Sequence, residues 1–569
     1  MKLNIFQVQQ PQPTTPTPPR CSLGHVILEI SKKPLSFKPA MANSPDTRAQ
    51  YWSDQAHIAL SPHLNNTTST QQVTHDHEDK SLSRYGLPDS AYRTWCQHVQ
   101  MPAIEAIHNG TPVSRHQLND YFAQARATLA EQAAKVTADS KKPSLEVTKA
   151  HIKTHYFGQL RKENLFTPLG SNTRYESYSH RAIKLIKENA QHPVFKKTRH
   201  LTIHNDTLRM TQSRMYQDRN VDTLALVYSI PVGRLRIRTT ETHLSANSLK
   251  LQGIETPQGL DSNWNKDFPE TFWLHSKARN IPYLETLSNQ CYESILDETH
   301  LPVNLINKIL HLHFLESHLC KFSRGSAAIN HWKTQSLLTA FGGGEIDLPS
   351  DLDCIALSHN QFGEFLEEVQ RKCPELSLLT TRLRQPETLS MQMCNAIKNS
   401  DHHALEPLLN QLTQHELPQV RSPSGLTLMQ LAAKYNNSRL IEQLIQHSVP
   451  ANHNEDGRTP LMLAAQNGAI QSMHRLVDYL RPNEIEPLES GKNHPLHYLV
   501  ISNLADQELV LVANTLCMKL ARNNQNLNRS DCRGQSAART AKQLNRHLLK
   551  EVIETHAEKF PMMESSNNP

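Results

Sequence analysis

Nowhere does this chain hold an uninterrupted apolar run of about 18 residues or more, so no segment of it is expected to span a bilayer as a helix. Its first residues, MKLNIFQVQQPQPTTPTPPR, lack both the continuous apolar stretch and the small-residue cleavage site of a secretory leader. Dense blocks of Lys and Arg are missing too. With 60 basic against 54 acidic groups the net charge is only +6, and no clustered patch marks a nucleic-acid footprint. The nine cysteines show no CxxC spacing, which argues against a structural zinc site, and their odd number and wide separation suit reduced thiols. Glycine is scarce, at 18 residues. Its one cluster, Gly342 to Gly344, lacks the Gly-Lys-Ser/Thr ending of a phosphate loop and is expected as a flexible connector. No metal and no cofactor is expected.

What is present is a long, polar, modular chain. Its 569 residues exceed one ordinary core, and its mean hydropathy of −0.57 is that of a soluble protein. Residues 1–82 are rich in Pro, Thr, Gln and His and bury too little apolar surface to offset the entropy of ordering, so they are expected as a disordered leader. Ser114 and Gln117 form a candidate capping box, after which Leu118, Phe122, Ala125, Leu129 and Val136 recur at helical spacing. A helix is also expected over Tyr175 to Asn189. From His200 to about Gly253 the periodicity changes to that of strands. In RLRIRTT, Leu235, Ile237 and Thr239 alternate with Arg234, Arg236 and Arg238, the pattern of a half-buried sheet with a wet arginine face. Helical spacing returns with Leu284, Leu287, Cys291 and Ile295, and again with Ile306, Ile309, Leu310, His313, Phe314 and Ser317. Residues 83–385 therefore predict an α-rich domain with a small β-sheet.

Within that domain the stretch 311–330 holds the candidates for chemistry. A long helix runs into an Arg-Gly-Ser turn, and a second helix begins near Ala327. Backbone N–H groups at such a turn suit an anion. The layout is similar to the helix–loop–helix of Fic nucleotidyl transferases, with His318 in the place of the base and Arg324 in that of the phosphate clamp. It departs from that family in lacking the proline, the acidic residue and the Gly-Asn-Gly. Cys320, with Cys291 and Cys354, is the alternative, a thiol nucleophile beside one of 32 histidines.

The last third repeats. SGLTLMQLAA (424–433) aligns without a gap on DGRTPLMLAA (456–465); Gly425 to Gly457 is 32 residues and Gly457 to Gly491 is 34. This period and hexapeptide resemble the ankyrin-repeat family. Gly457 suits a hairpin tip, Pro460 the first helical turn, and Gly468, like Asn436 before it, a left-handed cap. Repeats are expected over 389–421, 422–454, 455–488, 489–529 and 530–556, the fourth enlarged near Asn503 to Asn524. The fold class is thus mainly α: the α-rich central domain followed by a C-terminal α-solenoid over 389–560 and a disordered tail, 561–569.

The resemblance implies protein binding through hairpin tips and inner helices, here Asn454, Glu455, Asp456, Arg458, Gln466, Asn467, Lys492 and Asn493. The alternative is that the array braces the central domain. The modular layout and polar tail also resemble ankyrin-bearing, type IV-secreted effectors of intracellular bacteria. That resemblance implies a host protein as partner, passage from the bacterial cytoplasm to the host cytosol, and, as an alternative activity, a cysteine-protease-like or transferase domain acting on what the repeats present.

Overall fold

The computed structural model describes residues 89–138, 158–162, 165–169, 178 and 184, and, with brief breaks, 200–245, 271–297, 305–378, 388–481 and 493–560. The leader, most of the helix expected over 175–189, and the tail lie outside these residues.

The described part is mainly helical with two antiparallel sheets. Helices α1 (Asp89–His108) and α2 (Arg115–Ala138) come first. Ser114 and Gln117 close the capping box that opens α2: Ser114 N donates to Gln117 Oε1 at 2.8 Å and Gln117 N to Ser114 Oγ at 3.1 Å. Leu118, Phe122, Ala125 and Leu129 are buried, as their spacing predicts.

Strands β1 (Phe166–Pro168), β2 (His200–Ile203), β3 (Asp206–Met215), β4 (Arg219–Val227), β7 (Glu241–Ser245) and β8 (Thr271–Leu274) form a six-stranded sheet in the order β1-β8-β7-β4-β3-β2. Between β4 and β7, β5 (Ser229–Val232) and β6 (Leu235–Arg238) make a separate hairpin. On β6, Leu235 and Ile237 are buried while Arg236 and Arg238 face water, the alternation expected.

Helices α3 (Ile281–Leu296), α4 (Leu305–Leu319), α5 (Ser326–Leu338), α6 (Leu352–Ser358), α7 (Phe362–Lys372) and the short α8 (Glu375–Leu378) follow. Helix α4 is the hub. It touches α3, α5, α6 and α7 and is buried on every side from Leu312 to Leu319, polar residues included. Its Glu316 carboxylate is met by Arg115 Nη1 at 2.6 Å and Lys333 Nζ at 2.6 Å. Arg115 also reaches Glu285 at 3.1 Å, and Lys321 reaches it at 2.8 Å. Each buried charge thus meets its opposite, the condition under which such a network is tolerated in a core. At Gly342 and Gly343 the expectation of a flexible connector is corrected. Thr339–Gly343 continues α5 as a π-helical turn packed on α1 and α5, and there the two glycines belong to the helix.

The helix pairs from Leu389 to Lys559 supply inner helices α9 (Leu389–Lys398), α11 (Leu428–Lys434), α13 (Pro460–Asn467), α15 (Pro495–Ile501) and α17 (Ala537–Gln543). They alternate with outer helices α10 (His402–Asn410), α12 (Ser438–Gln446), α14 (Ile470–Tyr479), α16 (Asp506–Arg522) and α18 (His547–Lys559). Inner packs on inner from α9 through α17, and outer on outer from α12 through α18. Thr427 and Thr459 cap α11 and α13, each accepting from the N–H three residues on. Gly468 ends α13 at φ 68°, and Asn436 takes the equivalent left-handed position after α11 at φ 57°. The enlargement expected in the fourth unit is α16 itself, an outer helix of 17 residues.

Candidate functional site

A stack of helix pairs offers a concave inner flank unless something covers it. Here α11 is buried at every position from Leu428 to Ala433, α13 from Pro460 to Ala465 and α15 from Pro495 to Ile501. What covers them is the chain's own central domain. Val232, Leu235, Ile237, Ile281, Tyr283 and Leu284 share one continuous apolar core with these helices.

The polar seam is as specific as the apolar one. Glu293, near the end of α3, meets Arg458 Nη1 at 2.6 Å and Lys434 Nζ at 2.8 Å, and its side chain is 1% exposed. One turn on, Asp297 accepts from Ser424 N at 2.9 Å and Ser424 Oγ at 2.7 Å. Tyr283 donates to Asp531 Oδ2 at 2.7 Å. Val113 N donates to Pro423 O at 2.9 Å, and Arg234 N to Ile501 O at 2.8 Å. Gly425 lies so near α2 that a β-carbon there would stand 3.1 Å from Ser114 Cβ, on a backbone already at φ 85°.

The charges at this clasp are uneven. Burial pushes the Glu293 carboxyl up, but Arg458 and Lys434 outweigh burial and hold it below the usual carboxylate range. Burial, helped by the neighbouring Glu293 charge, pushes the Asp297 carboxyl up despite Lys434 and Ser424. On Lys434, burial pulls the ammonium down, and Glu293 and Asp297 more than reverse it. The clasp is therefore a carboxylate held by two cations, with a second carboxyl bonded to a hairpin tip beside it.

Of the residues read as partner-binding, Asn454, Glu455, Asp456 and Lys492 lie outside the described residues. The other four are turned toward the chain itself or bonded locally. Arg458 is in the clasp. Asn493 is 1% exposed and accepts from Cys532 N at 3.3 Å. The Gln466 amide is buried. Asn467 is exposed, and its amide donates to Leu463 O at 2.8 Å. Their inward turn follows from what faces them: an acidic helix end at Arg458, and the next hairpin at Asn493.

The candidates for chemistry come together only in part. His318 is buried, and burial lowers its imidazole to about 4. Cys320 stands at φ 44° with its thiol 3.9 Å from Ser326 Oγ; burial pushes that thiol up, against a weaker pull from Arg161. Arg324 is half-buried, its carbonyl accepting from Gly158 N at 3.2 Å. Cys291 donates to Lys308 O and is pushed by burial to about 12. The arrangement gives neutral thiols and a neutral imidazole, the opposite of an activated thiolate. Among the described residues no His, Cys, Asp and Glu group has the arrangement of a metal site, and no helix is long and apolar enough to cross a membrane.

Sequence reading missed Glu293, Asp297 and Lys434. A signal existed for each. Glu293 and Asp297 stand one turn apart beside the apolar stripe of α3, and Lys434 occupies the place that the next repeat gives to Gln466.

A family model for ankyrin repeats, in 3 copies, matches residues 393–489. That stretch runs from α9 through α14 and includes Lys434 and Arg458. Ankyrin repeats point to protein–protein interaction. Among curated proteins, none matches the chain.

Proposed function

We propose that this is a protein-binding protein whose repeats and central domain form one rigid platform, and that the partner docks on the outer helices. The observation that carries this reading is the burial of the inner helices by the chain's own α3 and β5–β6 hairpin. With the inner flank covered, the open face of the array is the row α12, α14, α16 and α18, where Arg439, Arg475, Asp478 and Tyr479 are exposed. The finer reading is that the partner is a host protein and the chain a secreted bacterial effector. Support for it is the modular layout and the polar C-terminal segment.

The test is affinity capture from eukaryotic lysate with the full chain. A variant carrying Arg439→Glu, Arg475→Glu and Asp478→Arg is compared with Asn467→Arg at the turn from α13 to α14. Proteins retained by wild type and Asn467→Arg but lost by the outer-face variant support the reading. Loss with Asn467→Arg alone overturns it.

A further inference from the structure

Among the described residues no acid stands against the buried guanidinium of Arg161. Its backbone belongs to an extended edge: Arg161 N donates to Lys321 O at 3.0 Å, and Ser323 N to Gln159 O at 2.9 Å. Gln159, Leu160 and Lys162 on this edge are exposed, so Arg161 alone turns inward and is 5% exposed. Beneath the edge its Nη2 donates to Ser276 Oγ at 3.2 Å and to Leu319 O at 3.4 Å. Its Nε and Nη1 are buried and make no hydrogen bond.

Five other buried cations set a standard. Arg115, Lys321, Lys333, Arg458 and Arg546 each meet a carboxylate at 2.6 to 3.1 Å. Among the described residues no carboxylate stands at ion-pair distance from Arg161. What surrounds it is Ser276, the Cys320 thiol, and the ring of His275, which is tied to Thr167 at 2.9 Å. A guanidinium does not shed its proton in a protein. A buried charge with unmet donors is costly unless a counter-ion completes it.

We propose that Arg161, with Ser276, Cys320 and His275 about it, forms a binding site for one compact oxyanion group of a ligand, a phosphate or a carboxylate. The site lies beneath the edge 158–162, whose Gln159, Leu160 and Lys162 are exposed. The ligand group supplies the negative charge that Arg115, Lys321, Lys333, Arg458 and Arg546 each receive from an Asp or Glu, and the two idle nitrogens donate to it. This site is separate from the outer-helix face, so its failure leaves the docking proposal untouched.

The experiment is thermal melting of the full chain in sodium phosphate, sodium acetate or sodium chloride at matched ionic strength, up to about 50 mM anion, beside Arg161→Gln. The wild type is expected to gain a few degrees, saturably, in phosphate or acetate over chloride, and Arg161→Gln to gain nothing. Response to phosphate alone assigns a phosphoryl group, and response to acetate alone a carboxyl group. An equal gain in the variant, or no gain over chloride in the wild type, overturns the site. Should Arg161→Gln fail to fold, amide exchange of the wild type decides. Slowing by the anion confined to 158–162 and 319–326 supports the site. Slowing elsewhere, or none, overturns it.

Discussion

Glu293 and Arg161 are both charged side chains sealed inside the same body, and their surroundings treat them in opposite ways. Glu293 has two cations on it, and they come from the repeats while it comes from the central domain. Arg161 has a serine, a carbonyl and a thiol, all from the central domain. The contrast teaches where each region's energy goes. A balanced buried charge commits two parts of the chain to one arrangement, because separating them strands ions away from water. An unbalanced one leaves an open demand for a ligand.

The comparison breaks most visibly at Glu293. Glu293→Ala strands Lys434 and Arg458 and is expected to cost about 3–5 kcal/mol in chemical denaturation. Arg161→Gln in anion-free buffer is expected to cost little or to stabilise, since it removes an uncompensated charge. Equal losses for the two would erase the distinction.

Acid gives the next effect. His275 and His313 are lowered to about 3, His318 to about 4 and His494 to about 3, in each case chiefly by burial. Between pH 6.5 and 4 the unfolded chain takes up protons that the folded chain refuses. Their contribution is therefore complete above pH 6.5 and is lost as the pH falls, by about 1.4 kcal/mol per pH unit for each group. Denaturation midpoints across pH 4.5 to 7.5 check this, and a flat profile contradicts it. On the Arg161 side, Arg161→Gln is expected to raise the His275 titration measured by NMR, because Arg161 is second only to burial in lowering it.

A smaller effect is expected from Lys434→Gln, which gives α11 the residue its neighbour already has. Glu293 keeps Arg458, so the loss is about 1.5–3 kcal/mol by the same denaturation assay. The smallest comes from Arg475→Ala. Its ion pair with Glu442, at 2.6 Å, is solvent-exposed, so the change stays below about 1 kcal/mol and vanishes in high salt.

Most of the repeats were legible because their rules are local. Thr427 and Thr459 as caps, Pro460 at the first turn, and Asn436 and Gly468 as left-handed stops each act within a few residues, and each is found in that role. The same holds for Ser114 with Gln117 and for the alternation of Leu235 and Ile237. Docking was legible only as the alternative that the array braces the central domain; the residues that make it were not. Arg458 follows Gly457, where the family pattern implies an exposed tip, and only the arrival of α3 turns it into a core ion. Arg161 was hidden for a similar reason. Its pairing with Lys321 crosses a long stretch of chain, and nothing in its neighbours' spacing marks it as the inward residue of an exposed edge. The signals that lay in plain sight were departures from repetition, such as Lys434 against Gln466.

The most direct test of the clasp is a double-mutant cycle on the full chain with Glu293→Ala, Arg458→Ala and both together, read by chemical denaturation. Contact between the central helix and the repeats predicts a coupling of about 2 kcal/mol, with the double variant costing less than the two single losses added. Additive losses would mean that Glu293 and Arg458 do not meet, and that the inner flank of the repeats is free after all.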